Sequence, residues 1–117
     1  MKIINNPIDI LFSVFEKEYP NEAKKINKIV FGKVDKGFGA TIFNDDGIDI
    51  VISPTLRKGK DITFTVATEL LAHELAHVIA GYEAGHGELW EKHFERLFEL
   101  YGIEAEKKLI KVQNERI

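Results

Sequence analysis

The segment HELAHVIAGYEAGH, from His73 to His86, holds three of the chain's four histidines, with Glu74 directly after the first. A neutral imidazole nitrogen is a good ligand for a divalent metal, and a glutamate beside a metal can move protons. At about 100° per residue, His73 and His77 lie about 40° apart on one helical face, one turn of about 5.4 Å along the axis, so both rings can reach one ion. Glu74 is offset by about 100° from His73 and borders that face. The opposite side carries Leu71, Leu75, Val78 and Ile79, so the helix can bury one stripe and present the His-Glu stripe to a cleft. Shuffling a chain of four His and 13 Glu in 117 residues produces HxxxH with Glu second in about one or two of every hundred sequences.

Two histidines do not complete a catalytic zinc site, which usually takes three protein ligands and leaves a fourth position for water. His86 is the first candidate for the third. It follows Gly81-Tyr82-Glu83-Ala84-Gly85, whose two glycines can reverse the chain and bring His86 back toward the His73-His77 face. His93, in the middle of the next predicted helix, is an alternative, and Glu95 or Glu99 would offer a carboxylate in the manner of thermolysin-type enzymes. With no cysteine in the chain, disulfides and thiolate ligands are excluded, and so is a zinc ribbon.

HELAH, then eight residues, then His86-Gly87-Glu88-Leu89-Trp90 resembles the SprT-like metallopeptidases. In that family an HExxH helix is followed by a His-Gly-x-x-Trp or His-Gly-x-x-Phe segment that opens the next helix. The resemblance covers Thr65 to about Leu97. It implies a zincin-like fold, Zn2+ held by His73, His77 and His86, Glu74 as the catalytic residue, Trp90 packed behind the site, and a protein or peptide substrate. The Cys-rich ribbon of the larger members is missing. Two rival readings belong to other classes. GYEAGH after a helical HxxxH is similar to the three-histidine pattern of the YbeY-like metal-dependent RNA hydrolases, although the gap is longer here and Glu74 stands where that pattern has Gly. The other rival is a non-catalytic zinc-binding module.

Zinc held by three neutral imidazoles keeps its charge and lowers the pKa of a bound water to about 7. In a zinc-dependent metallopeptidase Glu74 would act as general base, taking the water's proton during attack on a peptide bond and passing it to the leaving amine. An edge strand beside the cleft, either Phe38 to Phe43 or Ile48 to Ser53, could hold an extended peptide by strand addition. Tyr82 could stabilise an oxyanion, but a tyrosine in a turn is more often a packing or surface residue. Glu69, one turn before His73, could orient an imidazole or simply be solvated. Arg57-Lys58-Gly59-Lys60 could touch phosphate, with a solvated loop the better reading.

These residues need a scaffold, and 117 residues suffice for one domain, 1–117, around a single core. The pattern reads as α+β. Ile8, Leu11, Phe12, Phe15 and Tyr19 follow Pro7 at helical spacing until Pro20 stops the helix. Lys28–Val34, Phe38–Phe43 and Ile48–Ser53 read as three strands in a meander, separated by Asp35-Lys36-Gly37 and Asn44-Asp45-Asp46-Gly47. Asp61 can cap the long HExxH helix, which runs from near Ile62 to near Gly81. Further C-terminal helices follow, one over Gly87–Tyr101 ended by Gly102, then a short charged one over Glu104–Asn114. Apolar residues at 44% and charged residues at 30% suit a soluble globular protein. A net charge of -3 does not support nucleic-acid binding, although a local basic strip is compatible with it. The N-terminus reaches Asn5-Asn6-Pro7 at once, and no apolar run approaches the roughly 18 residues of a membrane helix. The chain therefore reads as cytoplasmic, with no membrane partner.

Overall fold

Pro7 opens the first helix, where a missing backbone N–H costs nothing. The computed structural model describes residues 7–56 and 59–115, so Met1 to Asn6, and Arg57 and Lys58 of the basic cluster, lie outside the described residues. Helix α1 (Pro7–Glu18) carries Asp9 in its first turn and Lys17 in its last, matching the helix dipole, and buries Ile10, Leu11 and Phe15. Pro20 ends α1 as expected, and its fixed φ also opens the single-turn α2 (Pro20–Ala23).

Strands β1 (Ile26–Phe31), β2 (Gly39–Asn44) and β3 (Gly47–Ile52) form one sheet. Its order is β1-β3-β2, with β3 antiparallel to β2 and parallel to β1. The expected meander is therefore corrected to a mixed sheet. Only Asp45-Asp46 is a tight turn, between the paired Asn44 and Gly47, whereas residues 32–38 are long enough to carry the chain past the end of β3. The driving force lies in β3, where Ile48, Ile50 and Ile52 are all buried. At the centre of the sheet they are flanked by Ile26, Ile29 and Phe31 of β1 and by Gly39, Thr41 and Phe43 of β2.

Helix α3 (Phe64–Ala80) packs on β2 and β3, and α1 and α4 (Glu88–Glu115) pack on α3. Leu71, Ala72, Leu75, Ala76 and Val78 of α3 join Leu11, Phe15, the three β3 isoleucines and Leu97 in one buried cluster. The small residues Ala72 and Ala76 let neighbouring elements approach α3 closely. The N-cap of α3 is Thr63, whose Oγ1 accepts from Val66 N–H at 3.2 Å. Asp61 does not cap the helix, because it pairs with Thr55 in a bridge that closes the preceding loop.

The two expected C-terminal helices are one. Gly102 lies inside α4, exposed, with open space around it. An internal glycine costs only about 1 kcal/mol relative to alanine, and with good helix formers on both sides and no proline behind it, that is not enough to break the helix. Among the described residues, no helix is long and apolar enough to cross a membrane.

Candidate metal centre

His73 and His77 occupy successive turns of α3 with ring centroids 5.1 Å apart. Gly81, at φ 95°, ends the helix, its N–H bonding His77 O at 2.9 Å. A 3-10 turn (Tyr82–Ala84) follows, then Gly85 at φ 56°, and the chain doubles back before α4 starts. His86 is thereby brought over the helix. Its Nε2 lies 3.0 Å from His77 Nε2 and 3.0 Å from His73 Nε2, and the ligand nitrogens of the three residues all lie within 4.8 Å of one another. They are close enough to hold one metal ion.

The donor set fits a cation. An ion about 2.0–2.1 Å from each nitrogen in tetrahedral geometry holds those nitrogens about 3.3–3.4 Å apart. Without one, three Nε2 atoms converge on a common point, and a single proton cannot satisfy both contacts of His86. Burial, then His86, hold the His73 pKa below its ordinary value. Burial, then His73 and His86, push that of His77 down to about 4 from 6.5. Both effects favour the neutral, metal-binding form. For His77, whose folded pKa is depressed, metal-free stability is present above 6.5 and lost as pH falls toward about 4. The unfolding midpoint of the metal-free protein should drop across that window. Glu74 has the opposite sign, so a His77→Gln variant, expected to flatten the decline, isolates the histidine.

Trp90 lies behind the three rings, with centroid distances of 4.8 Å to His73, 5.7 Å to His77 and 4.9 Å to His86. Its Nε1–H donates to His73 O at 3.1 Å, pinning α4 to α3 at the first of the three histidines. Phe94 stacks on Trp90 at 5.0 Å. Being the chain's only tryptophan, Trp90 is a ready fluorescence reporter of metal loading. Gly85→Ala should weaken that loading. Nothing lies within 4 Å of the added carbon, so the cost is backbone strain alone, about 1–3 kcal/mol, placed next to His86. A metal titration followed through Trp90 emission checks it.

Glu74 does not line an open cleft. It is 5% exposed and turned against β2, where the Thr41 hydroxyl donates to Oε1 at 2.8 Å, with Glu74 O a secondary contact at 3.1 Å. Burial pushes its carboxyl pKa up, an effect the Thr41 bond partly offsets. Strand β2 is an edge of the sheet and β3 is interior. Of the two strands expected to border the site, then, only the earlier one is an edge.

The alternative ligands lie elsewhere. His93 faces α1, its Nδ1 3.2 Å from Tyr19 Oη. Glu95 is exposed, and Glu99 pairs with Arg96 at 3.7 Å. Glu69 is exposed. Tyr82 is 79% exposed and meets Phe43 edge-on at 5.6 Å. Sequence reasoning missed Gly39 and Thr41, because no local signal ties a strand residue to a helix more than thirty positions downstream. Neither a family model, nor a curated protein, nor a solved structure matches the chain.

Proposed function

We propose that the protein is a zinc metallopeptidase in which Glu74 acts as general base. The observation that carries this reading is the convergence of three imidazole Nε2 atoms around a helix on which Glu74, the residue after the first ligand, is a buried carboxylate held by the edge strand. Three neutral nitrogen donors with no carboxylate or thiolate suit zinc with an open position. When bound, such an ion supplies a Lewis acid that polarises a carbonyl and acidifies water. The protein's part is proton movement. Thr41 occupies Oε1, so Oε2 is the Glu74 atom available to accept a proton and return it to the leaving amine.

The peptide substrate class is supported by β2. Phe38 O accepts from Ser53 N–H, and the alternation of an antiparallel pair then turns the backbone groups of Gly39, Thr41 and Phe43 away from β3, toward the open edge. An extended peptide added there runs alongside the residues that touch Glu74. A net charge of -3 weighs against RNA. The burial of Glu74 favours a second reading, a metal-holding module without catalysis. The test is to incubate the zinc-loaded protein with a complex peptide mixture and with structured RNA, and to read products by mass spectrometry. New peptide termini that are missing with Glu74→Gln support the proposal. RNA cleavage, or no Glu74-dependent product from either pool, overturns it.

A further inference from the structure

Gly39 and Thr41 both reach Glu74 from the same strand. A Cβ at Gly39 would stand 2.7 Å from Glu74 Oε2 and 3.3 Å from its Cδ and Cγ, so the carboxylate lies directly over a position that has no side chain. Two residues on, with its side chain on the same face of β2, Thr41 holds the other oxygen at 2.8 Å. One residue leaves space and the other supplies a donor. Together they determine where a flexible three-torsion side chain ends.

We infer that Gly39 and Thr41 form a socket that aims the Glu74 carboxylate, making them positioning residues for the site. This rests on the peptidase reading for what Glu74 is aimed at. A purely structural Thr41 bond would cost stability when removed but would not require the space at Gly39. The three nearest neighbours of a new carbon at Gly39 all belong to the Glu74 side chain and none to the backbone. Gly39→Ala should therefore displace the carboxylate while leaving the course of β2 unchanged.

The experiment needs no substrate. Hydroxamic acids bind divalent metals as anions through two oxygens, so their proton must pass to a base; the proposal makes Glu74, and not the buffer, that base. The cobalt-substituted protein is titrated with acetohydroxamic acid and followed by its visible absorption, with cobalt content and melting temperature measured on every variant. Glu74→Gln, Thr41→Val and Gly39→Ala should each weaken binding at least about tenfold, the scale of a lost hydrogen bond to a charged group. Cobalt should stay near one per chain, and Thr41→Ser should recover most of the loss. Wild-type binding by both Gly39→Ala and Thr41→Val, alongside a weakened Glu74→Gln, overturns the socket and leaves the peptidase reading standing. If Thr41→Val misfolds, Gly39→Ala decides alone. Undiminished binding by Glu74→Gln, or none by the wild type, overturns both together.

Discussion

His86→Ala is expected to lose the bound metal, lowering affinity by more than the 10–100-fold that a supporting residue typically costs, while His93→Ala keeps about one ion per chain. The contrast follows from position. His86 Nε2 is the atom within 3.0 Å of both other ligand nitrogens, so its removal leaves two imidazoles on one helix and no closed set. His93, seven residues later, has its Nδ1 against Tyr19, just past the end of α1. Its loss should lower stability slightly, by about 0.5–1.5 kcal/mol for one hydrogen bond, without touching metal content. Elemental analysis of protein purified without added metal makes the comparison. Equal metal in both variants would mean that the triad is not the binding site.

Glu74→Gln should keep the metal and lose hydrolysis by about 10²–10⁴-fold, the usual contribution of general acid–base catalysis. The substitution is nearly isosteric, and its amide oxygen can still accept from Thr41, so packing and the β2 contact survive. It removes the capacity to take up a proton. Burial raises the Glu74 pKa, the direction that makes a carboxylate a stronger base near neutral pH. Turnover measured on the best peptide from the mixture, at matched zinc content, gives the ratio. Full activity in the variant would remove Glu74 from the chemistry.

Legibility in the sequence depends on how far apart the interacting residues lie. The histidine trio sits within fourteen residues, and helical period plus two glycines are enough to nominate His86. The N-terminal helix and α3 are legible because their apolar spacing is regular. The strand order is not: a local pattern finds each strand, but pairing β1 with β3 instead of with β2 depends on which strand best fills the centre. Gly102 looks like a stop because a glycine's cost is visible in sequence, while the helix-forming strength of residues 103–115 is easily underweighted. The burial of Glu74 is hidden for a third reason, since the helical wheel puts it at the border of the face and only the approach of β2 covers it.

The turn between α3 and α4 carries one further consequence. His73 and His77 belong to a helix that the core already holds, but His86 belongs to the connecting turn, held by backbone bonds at Gly81 and Gly87 and by ring contacts with Trp90 and the two helix histidines. An ion held by all three would be a crosslink that closes a short loop, and part of its binding free energy would go into ordering that turn. Occupancy and local order at this junction would then form a single equilibrium, and a chelator would act on the metal-loaded protein as a regional denaturant.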